Sequence, residues 1–222
     1  VVEADLQHFA GDVSGEVAAI LAQPLADGLT RGGALRFAAL LHDIGKPATR
    51  VETDEGWVSF KGHDRVGAEM VRKLFRRLRS SRALAGKVAA MTRDHLVLGF
   101  MVRDRPLPPR RVFGYLERCG DEVVETTLLT VADRLSAQGG GVPEWAIEGH
   151  LELAREMLGV AVPWELEGPP KPLLRGDEIG AEAGIEPGPA LGEAVRELAA
   201  AQWCGEVSTR EQAIAHMRDF TA

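Results

Sequence analysis

The chain has 222 residues, with 45% hydrophobic and 27% charged side chains and a formal net charge of -7. That balance excludes a disordered polymer, and no apolar run approaches the roughly 18 residues of a membrane-spanning helix. The two cysteines, Cys119 and Cys204, have no metal-type spacing, so a reduced cytoplasmic setting is expected, with no membrane partner and no secretory leader. The chain begins with Val1 rather than methionine, which suggests part of a longer protein.

In chain order, Gly15–Leu25 and Gly33–Ile44 repeat apolar residues at the helical period. Phe37, Leu40, Leu41 and Ile44 are expected to share a buried face, and Gly45 with Pro47 to stop that helix. Val51–Phe60 carries β-branched and aromatic residues around Gly56, which predicts a small hairpin or an extended loop. Helical spacing returns over Val66–Arg79, and Ser81 predicts the N-cap of a helix running through Val88 and Met91 toward His95. Pro106, Pro108 and Pro109 mark a loop ahead of a helix over Arg110–Leu116. Thr126–Ala137 predicts an apolar helix carrying Asp133, closed by Gly139, Gly140 and Gly141, and Glu144–Leu158 is amphipathic.

Pro163, Gly168, Pro169, Pro170 and Pro172 then read as a linker. Beyond it come a short helix near Gly176–Ala183, a turn over Gly184–Pro189, and helices over Ala190–Gln202 and Thr209–Phe220. The expected fold is all-α, a helical bundle over residues 1–160 followed by a linker and helical tail over 161–222.

Charge is uneven. Arg72 to Arg111 holds 12 basic and 2 acidic residues, a local +10, whereas Glu152 to Asp219 holds 6 basic and 13 acidic, a local -7. The basic block raises the potential toward phosphates, or simply solvates a helix face. The aromatic residues Trp57, Phe60, Trp145, Trp164 and Trp203 are scattered along the chain and predict packing rather than a base-stacking surface.

Chemistry concentrates in Leu40-Leu41-His42-Asp43-Ile44-Gly45-Lys46-Pro47. An imidazole nitrogen beside a carboxylate at a helix end is a donor pair that borderline divalent metals accept. His63 follows Gly62, which is expected to let the backbone come close to a neighbour. His95 ends Met91-Thr92-Arg93-Asp94-His95. Asp133 sits among Leu128, Leu129, Val131 and Leu135, where a carboxylate is costly unless it is paired or ligates a cation; Arg134 beside it reads as a salt-bridge partner rather than a substrate contact. Taken singly, each histidine is more often structural than a ligand; together they form a pattern.

That order of His-Asp, His, His and Asp on successive helices resembles the HD superfamily of metal-dependent phosphohydrolases. More narrowly, the run from Leu41 to Arg50 with Phe60 to Glu69 is similar to the HD region of bacterial CCA-adding tRNA nucleotidyltransferases and poly(A) polymerases. Leu174–Ile179, Gly184–Gly192 and Gly205–Ala213 resemble the segment after that region. The nucleotidyltransferase domain of that family, with its Gly-Ser turn and paired aspartates, has no counterpart here, so nucleotide addition is not expected of this chain alone. Glu16 stands where many HD phosphohydrolases carry a first-helix histidine.

The resemblance implies a divalent cation (magnesium, manganese, nickel or cobalt) held by His42, Asp43, Asp133 and Glu16, with His63 and His95 as further ligands or substrate donors. Such an ion would activate water and polarise a phosphoryl oxygen. Asp43 and Lys46 are the expected catalytic residues, Lys46 having the alternative role of a helix-end cation. Lys61 and Arg65 are expected to contact phosphate, and Arg72, Arg76, Arg77 and Arg79 to contact RNA. The expected activity is hydrolysis of a phosphomonoester or 2′,3′-cyclic phosphodiester in a nucleotide or RNA end. The alternatives are a non-catalytic part of a tRNA nucleotidyltransferase that positions RNA, and an interaction scaffold with a relic site. Nucleotide and tRNA are the candidate partners, and the residues give no oligomeric state.

Overall fold

Helical periodicity becomes helix through most of residues 6–136 and 143–220, the part of the chain that the computed structural model describes. A short helix α1 (Leu6–Ala10) passes through a 3₁₀ turn into α2 (Ser14–Ala22), then into a hairpin of β1 (Pro24–Ala26) and β2 (Leu29–Thr30). The helical period expected through Leu25 gives no sign of this hairpin. Its turn places Asp27 and Gly28 at positive φ, and the Asp27 carboxylate accepts hydrogen bonds from Ser80 Oγ at 2.9 Å and Ser81 N at 2.8 Å. Thr30 caps α3 (Arg31–Leu41), its hydroxyl accepting from Gly33 N.

The buried stripe of α3 differs from expectation. Ala34, Leu35 and Ala38 face the core, whereas Phe37 is 36% and Leu40 77% exposed, and Leu41 and Ile44 are half-buried. Small residues occupy the stripe because α3 packs against two helices, α6 (Arg82–Asp94) and α9 (Val123–Ser136). The helix ends at Leu41, before Gly45, and Pro47 sits in the first turn of α4 (Lys46–Thr49), where its missing N–H costs nothing.

The predicted hairpin forms as β3 (Val51–Glu52) and β4 (Val58–Ser59), paired antiparallel. Next come α5 (His63–Arg77), α6 capped by the Ser81 hydroxyl, and α7 (Val97–Met101). Helix α8 (Pro109–Cys119) leads into α9, and α10 spans Glu144–Glu167. The close of α9 at Ala137 and the Gly139–Gly141 stop lie outside the described residues. Pro163 lies inside α10 rather than in a linker, carried by the buried Leu158, Ala161 and Val162 beside it. Helices α11 (Gly176–Ala183), α12 (Pro189–Trp203) and α13 (Arg210–Arg218) follow, the last with a Thr209/Gln212 capping box. The result is an all-α protein with two small hairpins, and none of its described helices is long and apolar enough to cross a membrane.

The chain forms two compact units, one of residues up to Arg105 with Arg118–Glu165, the other of Pro106–Glu117 with residues from Leu166 onward. The second unit buries Leu174, Ile179, Leu198, Val207 and Met217 and clamps Arg110 between Glu197 and Glu206. The first unit is centred on Val17, Ile20, Leu35, Val71, Phe75, Val88, Leu128 and Leu158.

At one end of the first unit lies a buried ion network. Arg31, 7% exposed, donates to the fully buried Glu125 at 2.6 and 2.7 Å, to Glu165, to Gln23 and to the Asp121 carbonyl at 2.9 Å. Lys87 adds contacts to Glu125 at 3.3 Å and to the Asp121 carbonyl at 2.9 Å. The network ties the start of α3 to α6, α9 and α10. Removing one member strands the others without water, which costs about 3–5 kcal/mol. Glu125→Ala should lose stability by that amount in urea unfolding. An Arg31→Met/Glu125→Leu pair should lose less than the sum of the two single losses, and strictly additive losses would refute this account.

Candidate metal centre

Three imidazoles owe their orientation to their own chain. Nδ1 of His42 lies 2.9 Å from the Ala39 carbonyl, that of His63 2.7 Å from Phe60 O, and that of His95 2.7 Å from Thr92 O. A carbonyl only accepts, so each Nδ1 carries the hydrogen and each Nε2 is left with a free lone pair. His42 is the C-cap of α3, His63 the first residue of α5 and His95 the C-cap of α6. At all three positions the ring can turn back onto a carbonyl three residues earlier.

All three Nε2 atoms point toward Asp43. His42 Nε2 is 3.3 Å from Asp43 Oδ2, His63 Nε2 3.3 Å from Oδ1 and His95 Nε2 3.9 Å from Oδ1. His42 Nε2 is also 3.3 Å from Asp133 Oδ1, which α9 supplies. The rings of His42 and His95 stand edge-on at 5.1 Å, and those of His63 and His95 at 5.3 Å. Donor atoms of His42, Asp43 and His95 all lie within 4.8 Å of one another. The cluster is thus assembled from α3, α5, α6 and α9.

Its electrostatics suit a cation. Nε2 of His42 and of His63 is buried with no hydrogen-bond partner, a costly state for a basic nitrogen unless an ion or water meets it. Burial resists a proton on His42, but Asp133, the Ala39 carbonyl and Asp43 outweigh it and hold its pKa above the ordinary value. Contact with His42 in turn lowers the Asp133 pKa against the effect of burial. His95 is shifted the other way, mainly by burial and further by His42, so it presents a neutral ring. Three imidazoles and two carboxylates form a donor set that borderline divalent metals accept, so these residues fit such an ion.

The backbone brings these elements unusually close. A Cβ on Gly45 would lie 2.2 Å from the His63 carbonyl oxygen and 2.7 Å from Gly67 N. One on Gly67 would meet the Thr92 methyl at 3.1 Å. Gly45 is therefore the close-approach glycine, a part the sequence reading gave to Gly62. Gly62 has open space around it and instead supplies φ of 81° just before α5.

Of the other expected site residues, Lys46 donates to Asp43 Oδ2 at 2.6 Å and lies 5.8 Å from the Phe60 ring centroid. Lys61 and Arg65 are exposed and line an open cavity of about 650 Å³ together with His63. Glu16 is exposed near the start of α2, and no hydrogen bond or ion pair joins it to the cluster among the described residues. Arg134 forms no ion pair with Asp133 among the described residues; its Nε is buried without a partner, and the Asp133 carboxylate lies 3.3 Å from His42 Nε2.

A further buried histidine, His150, has no sequence motif around it. This residue of α10 is 3% exposed, with Nε2 3.1 Å from Thr130 Oγ1 and Nδ1 unpartnered. Burial, reinforced by Arg134, pushes its pKa down to about 4. No spacing in the sequence links it to the other histidines.

Part of the basic block is taken up by acidic partners. Lys87 is buried in the ion network, Arg93 pairs with Asp94, Arg105 with Glu152 and Glu156, and Arg110 with Glu197 and Glu206. Arg72, Arg76, Arg77 and Arg79 remain exposed on α5 and the turn after it, without an acidic partner among the described residues.

The HD domain family matches residues 15–138. The A-adding tRNA nucleotidyltransferase of Deinococcus radiodurans is 36% identical over 185 residues, 83% of this chain and 41% of that protein. The CC-adding tRNA nucleotidyltransferase of Thermus thermophilus is 35% identical over 185 residues, 82% of this chain and 39% of that protein. A multifunctional CCA protein of Methylococcus capsulatus is 30% identical over 175 residues, 77% of this chain and 36% of that protein. The chain therefore spans about two fifths of the length of the relatives it matches.

Gly45→Ala tests the packing that builds the cluster. The added methyl must push α5 away from the His42-Asp43 corner, so affinity for nickel in calorimetry should fall by roughly tenfold or more. Gly86→Ala, on α6 with nothing within 4 Å of its Cβ, should leave nickel binding unchanged. Equal affinity in both variants would show that the contact does not shape the site.

Proposed function

Because the chain belongs to the HD domain family, we propose that it is a metal-dependent phosphohydrolase acting on a nucleotide or RNA-end phosphate. The observation that carries this reading is the set of three Nδ1-anchored imidazoles whose Nε2 atoms face Asp43, with Asp133 beside His42. His42, Asp43 and Asp133 would hold the ion, with His63 and His95 completing its surroundings. The imidazole-rich set favours nickel, cobalt or manganese over magnesium, which prefers oxygen ligands. Once bound, the ion supplies Lewis acidity toward a phosphoryl oxygen and lowers the pKa of a water.

The remaining chemistry belongs to the chain. Lys46 holds Asp43 from one side and sits where it neutralises charge on a bound phosphate. Lys61 and Arg65 extend that positive charge along the cavity wall. His95, buried and kept neutral, accepts a proton or donates from Nε2 only after protonation, which suits it to orienting rather than carrying charge. Hydrolysis breaks the bond from phosphorus to the ester oxygen, and that oxygen leaves with a proton from solvent or from the site.

Nickel- or manganese-loaded protein should therefore hydrolyse a 2′,3′-cyclic nucleotide. Asp43→Ala should reduce the rate at least about a thousandfold, since it removes a ligand and the partner of three imidazoles. Absence of turnover with nickel, cobalt, manganese and magnesium alike would end this reading.

A second reading, that the chain positions RNA, rests on a separate observation: the unpaired Arg72, Arg76, Arg77 and Arg79. The relatives that act on tRNA by name make tRNA the natural probe. Such contacts would be phosphate contacts, so affinity should fall with salt. Reversing charge at Arg76, Arg77 and Arg79 together should weaken tRNA binding by at least tenfold and flatten its salt dependence in filter binding. Unchanged binding would remove this role.

A further inference from the structure

One buried histidine stands apart from the converging cluster yet contacts the helix that supplies Asp133. His150 of α10 is 3% exposed, and its Nε2 lies 3.1 Å from Thr130 Oγ1 on α9. The same hydroxyl donates to the Thr127 carbonyl at 2.9 Å, and a carbonyl only accepts. The single hydroxyl hydrogen is therefore committed, so Thr130 accepts from His150 and Nε2 carries the imidazole hydrogen. This tautomer is the opposite of that in His42, His63 and His95, whose Nδ1 atoms face carbonyls. Nδ1 of His150 is buried without a partner.

Its neighbours place it between two elements that serve the centre. Thr130 lies about one helical turn before Asp133 on α9. On the other side, a Cβ on Gly99 of α7 would lie 3.7 Å from His150 Cε1, and α7 starts at Val97, just after His95. The residue before His150 strengthens that side. Gly149 O accepts from Arg105 Nη1 at 3.3 Å, and Arg105 also pairs with Glu152 of α10 at 3.0 Å. Helix α10 is thus tied to the segment that follows His95 and, through His150, to the last turns of α9. Other roles fit His150 poorly. Its nitrogens are not among the converging donor atoms. A proton relay would need Thr130 to pass on a hydrogen that a backbone carbonyl holds. Burial, reinforced by Arg134, keeps the ring neutral, so it is no counter-ion for Asp133. An apolar side chain would avoid the cost of burying imidazole; what imidazole adds is a bond with direction.

We propose that His150 is a positioning residue of the metal centre: it sets the last turns of α9 against α7 and so fixes where Asp133 stands relative to His42 and His95. It touches neither ion nor substrate. Leu153, Ala154 and Met157 supply burial on the same helix, but apolar contact has no direction and cannot fix the rotation of α9. The role rests on the metal-centre reading, because it acts only through ligands of that ion. Its test reads metal binding rather than turnover.

Cobalt titration followed by visible absorption is the experiment, because the positions of the bands report the arrangement of ligands around the ion. His150→Leu keeps an apolar side chain of similar size. It should weaken cobalt binding by about tenfold and shift the bands of the saturated protein. His150→Gln, whose Nε2 amide hydrogen reaches Thr130 from nearly the same place, should keep native affinity and native bands. Thr130→Val removes the acceptor from the α9 side and should behave like His150→Leu, so the comparison survives if either variant fails to fold. Proton–nitrogen correlation spectra should place the His150 hydrogen on Nε2; a hydrogen on Nδ1 would remove the bond on which the role depends. Absence of cobalt binding by the native chain sinks the metal centre and this role together. Cobalt bound with affinity and bands unchanged in His150→Leu and Thr130→Val overturns the role alone. Weaker binding with unchanged bands marks a loss of stability only, and a His150→Gln that behaves like His150→Leu shows that the hydrogen bond is not the cause; each of these also overturns it.

Discussion

The centre depends on how closely α3 and α4 can press against α5. At Gly45 the backbone lies so near the His63 carbonyl that no side chain fits, and Gly67 opposite it meets Thr92 in the same way. This contact places the His42-Asp43 corner within reach of His63 at the start of α5 and His95 at the end of α6. Hydrophobic burial around Val71, Phe75, Val88 and Met91 holds those helices together, but packing that excludes side chains determines how far apart their ends sit.

Within that frame, the histidines are oriented by local means and charged by neighbours. Each Nδ1 is occupied by a carbonyl of its own segment, so rotation is restrained before any ligand arrives. The carboxylates then act as a group. Asp43 faces three imidazoles and Lys46, while Asp133 raises His42 and is itself lowered by it. Positive charge is thereby favoured at the point where the lone pairs meet. The buried Arg31–Glu125 pair does separate work, since it locks the start of α3 to α9, the helix that delivers Asp133.

Elements with strong local chemistry were legible in the residues. The helices over α5, α6, α11, α12 and α13 follow from apolar spacing and from caps such as Ser81 and Thr209, because those signals act within one turn. The β3–β4 hairpin followed from β-branched residues around Gly56. The buried side of α3 did not, because Ala34 and Ala38 form a stripe only where two other helices come close, while Phe37 and Leu40 looked more hydrophobic and ended outside. Pairing misled at Arg134 for a similar reason: adjacency in sequence suggested Asp133, but consecutive helix residues point in different directions.

For the site, the residue types and their order single out His42, Asp43, His63, His95 and Asp133 as candidates, since few side chains can ligate a metal and these recur on successive helices, and the fold brings them together. Their distances were not legible, because ring orientation comes from carbonyls and helix separation from glycines that read as turn residues. The same limit hid His150, which joins elements far apart in the chain. Composition and local pattern carry information over a few residues; meeting points between helices belong to the packed chain, where burial and steric exclusion decide them together.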